Sequence, residues 1–196
     1  MRARWIVVTI LTLAGSGCAS VSKEECTRGD WTQIGYRDGA TGAVADILAE
    51  HDKACAEVGV KTNPAAWREG YSRGVLTYCT PESGFEAGLR NDTYRGVCPR
   101  HLEPAFQARY SSGREVYKAR RILDQYDRDV SSLNQQLRSK DLKPHQRSDL
   151  MRQLNFQRLQ RHQAAIQVQT IEAWARGIAV PPPAPLAPTG PLPHVR

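Results

Sequence analysis

One short phrase recurs three times between Asp30 and Cys98: a glycine, an aromatic residue and a second glycine four positions after the first. The copies are Gly35-Tyr36-Arg37-Asp38-Gly39, Gly70-Tyr71-Ser72-Arg73-Gly74 and Gly84-Phe85-Glu86-Ala87-Gly88. On a helix, residues four apart lie on one face, so two glycines form a flat strip that a second backbone or a ring can approach closely. Each glycine costs about 1 kcal/mol relative to alanine inside a helix. A close contact between helices would offset this cost, so the repeated phrase indicates closely packed helices.

The first residues have the layout of an export signal. A short positive start, Met1 to Arg4, precedes an apolar run of ten residues from Trp5 to Ala14, and a bilayer-spanning helix needs about 20. The small residues that lead into Cys18 resemble the lipobox of bacterial lipoproteins, although Gly15 stands where leucine is usual. The resemblance implies a signal peptide over 1–17 and an acylated Cys18. An ordinary secretory signal remains the alternative.

Ala19 bears on the destination of the exported chain, because an aspartate after the acylated cysteine is associated with retention in the inner membrane. The resemblance therefore implies a lipid anchor in the outer membrane, facing the periplasm. Several acyl chains together anchor a protein stably.

Export also changes what the other cysteines mean. Removing Cys18 leaves an even number in an oxidising compartment, which predicts two disulfides. In the cytosol, His51 and Cys55 would suggest a zinc site because they are one helical turn apart. Given the export signal, we expect neither a metal nor a cofactor.

The first predicted helix contains the first copy of the phrase. Asp30 is a good N-cap, and the segment from Trp31 to Val58 fits a helix that stops at Gly59. Its glycines leave an alternative open, in which residues 29–42 form a loop and the helix starts only at Ala43.

Two further helices are marked by caps and prolines. Asn63 and Pro64 open the second, which ends at Cys79 before Pro81. The third starts at Thr80-Pro81 and ends near Asn91-Asp92. Thr93 to Pro99 is expected to be irregular.

Helix geometry constrains the disulfide pairing, since bridged α-carbons lie within about 7 Å. A continuous helix over residues 31–57 would be about 40 Å long, which would keep Cys26 and Cys55 apart. Cys55 and Cys79 likewise bracket the second helix. By exclusion, the predicted pairs are Cys26 with Cys79 and Cys55 with Cys98.

The C-terminal part is long, charged and helical. From Val116 to Leu137, apolar residues recur at alternating threes and fours, which indicates a coiled-coil seam. Lys140 to Pro144 forms a break, and a second helix is expected from His145 to Arg176. The short connection predicts an antiparallel hairpin.

We therefore predict a mainly α fold in which a small disulfide-pinned helical domain precedes a long antiparallel helical hairpin and a disordered, proline-rich tail. The tail contains seven prolines in twenty residues. The predicted segments are a signal peptide over 1–17, a lipidated N-terminus and spacer over 18–29, the glycine/aromatic disulfide domain over 30–112, the basic hairpin over 113–176 and the tail over 177–196.

Several of these features together resemble a family of bacterial lipoproteins known as Domain of Unknown Function 2799. The resemblance covers roughly residues 18–117 and rests on the lipobox, Gly29-Asp30-Trp31, Gly35-Tyr36, Asp38-Gly39, His51, Cys55, Gly70 to Cys79, Tyr94 and Gly96-Val97-Cys98-Pro99. It implies an envelope lipoprotein and carries no activity or catalytic residue that could be transferred to this chain.

The sequence offers few candidates for chemistry, and we assign no catalytic residue. His51, between Glu50 and Asp52 and one turn from Cys55, could be the base of a cysteine nucleophile, but an oxidised Cys55 is expected. Asp30 and Asp38 are interpreted as a cap and a turn residue rather than paired acids.

A glycan-binding groove is a further possibility, because aromatic faces stack on sugars. Core packing is the preferred interpretation of the five aromatic residues concerned, which are Trp31, Tyr36, Trp67, Tyr71 and Tyr94.

The net charge of +7 is concentrated in one segment: residues 112–178 contain 13 basic and 7 acidic side chains, whereas residues 19–111 contain 11 and 13. This basic hairpin is either a solvated helical face, a surface for self-association, or a docking site for an acidic envelope partner such as another protein, lipopolysaccharide or peptidoglycan. Nucleic acid is not expected for an exported protein. We expect a non-enzymatic structural or interaction protein of the envelope; the alternative is a small hydrolase or glycan-binding or glycan-modifying protein using His51 and nearby carboxylates.

Overall fold

The computed structural model describes residues 20–177, and over this range it contains seven α-helices and no strand. The predicted mainly α class is confirmed. The predicted signal peptide, Cys18 and the proline-rich tail from residue 178 onward lie outside the described residues. None of the helices within residues 20–177 is both long enough and apolar enough to cross a membrane. The chain divides into two compact units, Met1–Val75 and Leu76–Arg196.

The first unit contains four helices, the last of which extends three residues beyond Val75, and local signals mark the starts of the first two. Ser22 and Glu25 form a capping box at the first helix, a signal that marks a helix within the predicted spacer. Asp30 accepts a 3.1 Å hydrogen bond from the Gln33 N–H and so caps the second. The helices are α1 Lys23–Arg28, α2 Trp31–Ala40, α3 Ile47–Ala56 and α4 Pro64–Tyr78.

The prediction of one helix from Trp31 to Val58 is wrong, and so is the alternative of a loop over residues 29–42. The chain is helical as far as Ala40 and then turns at Gly42, whose φ is 72°. The Gly42 and Ala43 N–H groups donate to the carbonyls of Gly39 and Asp38 at 3.1 and 3.0 Å. This left-handed C-terminal motif ends α2 and lets α3 run in a new direction.

The predicted disulfide pairing is also wrong, for the same reason. Cys26 is bonded to Cys55 with a Cα–Cα distance of 5.4 Å, and Cys79 is bonded to Cys98 at 5.5 Å. The exclusion of Cys26–Cys55 assumed a continuous 40 Å helix between them. Because the chain turns after α2, the two cysteines meet, and each unit contains its own disulfide.

The glycine phrases of the first unit face each other across the α2/α4 crossing. A Cβ added to Gly35 would lie 2.0 Å from the Trp67 carbonyl oxygen, and a Cβ added to Gly39 would lie 2.3 Å from the Tyr71 carbonyl oxygen. In the reverse direction, a Cβ on Gly70 would lie 1.9 Å from the carbonyl oxygen of Thr32. The two backbones are therefore in direct contact, and glycine is the residue that permits it.

The second unit contains α5 Pro81–Leu89, α6 Glu103–Leu137 and α7 Pro144–Ala175. The bounds of α5 and α7 lie within a few residues of the predicted ones, because Pro81 and Pro144 fix the starts of these two helices. Helix α6 runs without interruption through Gly113, where the hairpin was expected to begin. The predicted disulfide domain and hairpin therefore share one continuous helix.

The third glycine phrase makes a similar crossing inside the second unit, between α5 and α6. A Cβ on Gly88 would lie 2.2 Å from the Tyr110 carbonyl oxygen, and one on Gly113 would lie 2.2 Å from that of Phe85. In both units a tyrosine of the second helix binds the carbonyl just beyond the first helix: Tyr71 Oη donates to Ala43 at 2.7 Å, and Tyr110 Oη donates to Asp92 at 2.6 Å. The two units thus repeat one helix-pair design.

Helices α6 and α7 form an antiparallel hairpin beyond this crossing. Its core consists of Val116, Ala119, Val168, Ile171 and Ala175. Ion pairs cross the hairpin on its surface, from Arg120 to Glu172 at 2.6 Å and from Arg161 to Asp127. Arg147 donates to the Leu137 and Ser139 carbonyls at 3.0 and 3.1 Å, which ties the end of α6 to the start of α7.

The crossing in the first unit predicts that Gly39→Ala is destabilising. Alanine is ordinarily the better helix former by about 1 kcal/mol, but its methyl group would overlap the α4 backbone, and overpacking of this kind typically costs about 1–3 kcal/mol. Urea unfolding followed by circular dichroism measures the difference. Ser72→Ala on the exposed face of α4 is the control. A Gly39→Ala protein at least as stable as the parent would contradict the crossing.

Candidate functional site

The most concentrated polar cluster of the first unit is centred on Asp38. Its Oδ2 atom lies 2.8 Å from Nε2 of His51 and accepts a 2.8 Å hydrogen bond from the indole Nε1 of Trp67. His51 is 0% exposed and Asp38 is 7% exposed. Buried polar groups are tolerated where their hydrogen bonds are made, and both acceptor and donors are paired here.

The second ring nitrogen of His51 extends the cluster to Ser20, because Nδ1 lies 2.8 Å from the Ser20 hydroxyl oxygen. An ionised carboxylate only accepts hydrogen bonds, so the hydrogen on His51 Nε2 points to Asp38. In neutral His51 the Nδ1 atom then accepts from the Ser20 hydroxyl. A chain of hydrogen bonds therefore runs from Ser20 through His51 and Asp38 to Trp67.

Four parts of the first unit supply one residue each to this cluster. Ser20 precedes α1, Asp38 is on α2 next to Gly39, His51 is on α3, and Trp67 is on α4. The turn after α2 brings α3 back so that His51 can reach Asp38. The cluster consequently ties the beginning of the described chain to all three long helices of the unit.

The second unit shows that the helix crossing itself does not need this carboxylate. Asp38 directly precedes the second glycine of its phrase, and the residue at the same place in the third phrase is Ala87, which is buried and apolar. The α5/α6 crossing forms with that alanine. Asp38 is therefore an addition to the shared design, and it serves the contact with His51 and Trp67.

Tyr71 lies beside the cluster, and the charge of Asp38 affects the pKa of its hydroxyl. Its ring stacks on Trp67 with centroids 4.6 Å apart. Burial raises the pKa of Tyr71 above 10.0, and the negative charge of Asp38 raises it further. Tyr71 is therefore a neutral hydrogen-bond donor at physiological pH, which is the form that its bond to Ala43 requires.

The cluster has the residue types of a catalytic triad: Ser20 in the place of the nucleophile, His51 in that of the base and Asp38 in that of the acid that orients the base. A serine hydroxyl bonded to a histidine that is itself bonded to an aspartate is the arrangement used for acyl transfer. In this protein, however, the imidazole is closed off from solvent on all sides. In the described conformation the arrangement is a buried hydrogen-bond network that connects the segment before α1 with α2, α3 and α4.

The predicted candidates around His51 fall in different places. Cys55 is in a disulfide, so it is not a nucleophile. Glu50 pairs with Lys53 on the exposed face of α3, and Asp52 accepts a hydrogen bond from Thr62. The carboxylate that reaches His51 is Asp38, which the sequence interpretation placed in a turn.

Of the five residues considered for a glycan groove, the two tryptophans are in the core. Trp31 and Trp67 are 4% and 2% exposed, so they present no face to a ligand. Tyr71 is half-buried, Tyr36 is exposed, and Tyr94 belongs to the second unit, where its ring packs on Phe106 at 4.8 Å. The preferred interpretation of core packing holds for both tryptophans and for Tyr94.

The sequence interpretation misses Ser20, and it also misses that the Trp67 indole donates a hydrogen bond to Asp38. Ser20 is 31 residues from His51 and Asp38 is 13 residues from it, so no local spacing connects them. Among residues 20–177, no group of three or more His, Cys, Asp or Glu side chains is arranged to hold a metal ion.

The cluster predicts that His51→Ala destabilises the first unit. The substitution removes a donor from the buried Asp38 carboxylate and leaves a cavity, and an unsatisfied buried polar group costs about 1–3 kcal/mol. Chemical unfolding measures the loss, with His101→Ala at an exposed position as the control. Equal stability of the two variants would show that the cluster does not hold the unit together.

Comparison with known families gives a match that covers part of the chain. A family model described as "Protein of unknown function (DUF2799)" matches residues 30–115. This range contains α2 to α5, both disulfide partners Cys79 and Cys98, and the first part of α6. Comparisons with curated proteins and with solved structures give no match. Both helix crossings thus lie within the matched region, and residues 30–115 of the chain belong to the DUF2799 family.

Proposed function

We propose that this chain is a lipid-anchored protein of the bacterial envelope, facing the periplasm from the outer membrane, and that it acts by binding through the α6/α7 hairpin rather than by catalysis. The observation that carries the proposal is the continuity of α6. The helix begins at Glu103, inside the family-matched region, and continues to Leu137. A binding arm built in this way is continuous with the helix that makes the α5/α6 crossing.

The dimensions of the hairpin support its use as an arm. A helix of 35 residues is about 52 Å long at 1.5 Å per residue. Helix α7, with 32 residues, pairs with it along most of this length, and cross-helix ion pairs and the Arg147 tie at the tip hold the two together. Two paired helices resist bending better than a single helix, so such an arm presents a surface at a defined distance.

The chemistry of the hairpin surface also suits a partner. Its basic residues outnumber its acidic ones, and Arg138, Lys140 and Lys143 are exposed at the tip without an ion-pair partner among residues 20–177. Side chains such as Ile122 are apolar and 44% exposed. An acidic envelope component or another helix would match this combination.

Anchoring through Cys18 rests on the lipobox-like sequence. Two disulfides in the described chain agree with an oxidising compartment. Ser20 follows Cys18 by two residues and is bonded to His51. The sealed cluster would thus fix the point at which the folded unit meets its anchor.

The Ser20–His51–Asp38 order favours a hydrolase as the second candidate. Such an enzyme must expose the imidazole to a substrate, and His51 is 0% exposed. Binding therefore fits the described geometry better than catalysis does.

Site-specific photo-crosslinking in cells tests the proposal. A photoreactive residue at Ile122, Lys140 or Leu159 on the arm is expected to give defined adducts, and one at the exposed Arg68 on α4 is the matched control. Cys18→Ser, which cannot be acylated, should leave the membrane fraction and lose adducts that depend on the anchor. If Arg68 gives adducts while all three arm positions give none, the arm is not the binding element.

A further inference from the structure

Helix α7 has apolar side chains on two opposite faces. The inner face packs on α6 through Val168, Ile171 and Ala175. The outer face contains Met151, Leu159 and Ile166, which are 52%, 54% and 52% exposed. At 3.6 residues per turn the three lie within a strip about 80° wide, nearly opposite the inner face. We call this strip the outer stripe.

The outer stripe differs from scattered surface leucines. Its three large side chains are aligned over about 22 Å of helix, and no helix of the described residues covers them. A single apolar face is what a two-helix hairpin requires for its own folding. A second apolar face, on the side of α7 that faces away from α6, would be useful if a further helix packed there.

We propose that the occupant is a second copy of this chain, whose α7 packs antiparallel on the first around Leu159. Met151 precedes Leu159 by eight residues and Ile166 follows it by seven. A two-fold axis near Leu159 therefore places Met151 against Ile166 of the partner subunit and brings the two Leu159 side chains together. One patch complements itself, as a two-fold dimer requires.

The polar residues within the outer stripe also suit a second copy. Asn155 and His162 lie between its apolar positions and Gln169 follows Ile166 on the same face, and asparagine and glutamine carry no charge. Two such stripes can approach without the like-charge penalty that a row of lysines or glutamates would impose. The charge nearest the axis is Arg158 on the flank of the stripe, which the two-fold brings near its own symmetry mate.

Arg158 distinguishes a second copy from an acidic partner. In the dimer, Arg158→Gln removes a repulsion, so association becomes tighter, and added salt has the same effect by screening. With an acidic partner, the same substitution and added salt would both weaken binding. The direction of the two effects decides between the two occupants.

This inference rests on the proposed role of the hairpin as an interaction arm, and single-cysteine crosslinking in the full-length chain tests it separately. The native cysteines at 26, 55, 79 and 98 are paired, and the fifth, Cys18, is replaced by serine in every variant of this experiment. Under mild oxidation, Leu159→Cys is expected to give a covalent dimer, and Met151→Cys mixed with Ile166→Cys should give a mixed dimer. Leu76→Cys, at a 53% exposed position on α4, is the matched control and should remain monomeric.

Sedimentation of the full chain carrying Cys18→Ser gives the affinity. Leu159→Gln should raise the dissociation constant of the dimer about a hundredfold, because two leucines lose burial and each contributes tenfold or more. Since Leu159 is exposed within one hairpin, its circular dichroism should stay unchanged. A monomer throughout, a Met151→Cys homodimer in place of the mixed one, or weaker association of Arg158→Gln would each overturn the proposal. If photo-crosslinking gives adducts at Ile122 or Lys140 and none at Leu159, the hairpin is still a binding arm but the α7 dimer is wrong.

Discussion

The structure depends on direct backbone contact at the glycine crossings. Helices that touch through side chains usually lie 8–10 Å apart, but at Gly35, Gly70 and Gly88 even a single methyl group would overlap a carbonyl of the neighbouring helix. This constraint is satisfied once in each unit. It determines where the aromatic residues go, because rings such as Trp67 and Phe106 must pack beside the crossing rather than within it.

The same constraint explains the position of the tyrosine hydroxyls. Since the helices are so close, Tyr71 and Tyr110 can reach past the end of the neighbouring helix and donate to the carbonyls of Ala43 and Asp92. In both units the chain has just passed a residue in the left-handed region, Gly42 in one case and Asn91 in the other. The crossing, the turn and the tyrosine bond therefore form one recurring arrangement, and each copy has its own disulfide.

Sequence reasoning recovered the elements that proline and capping residues mark. Pro64, Pro81 and Pro144 placed three helix starts to within a residue or two, because proline is favoured in the first turn. It fails at the turn after Ala40, because no proline interrupts the pattern there and a glycine such as Gly42 can stand either in a helix, at a cost, or in a turn. That error alone produced the wrong disulfide pairing. The candidate site was less accessible, because Ser20, Asp38 and His51 become neighbours only after this turn.

The two units share a design but differ in what has been added to it. The first unit has the buried Ser20–His51–Asp38 cluster, which leads directly to the proposed anchor. The second unit extends its crossing helix into the α6/α7 hairpin, with an outer stripe that the described chain leaves uncovered.

Each unit is closed separately by its own helix crossing and its own disulfide. Peptide mapping of the oxidised protein without reduction tests it most directly, because the linked peptides identify the pairs. We expect Cys26 linked to Cys55 and Cys79 linked to Cys98. Cys26 linked to Cys79, or Cys55 linked to Cys98, would join the two units covalently and contradict it.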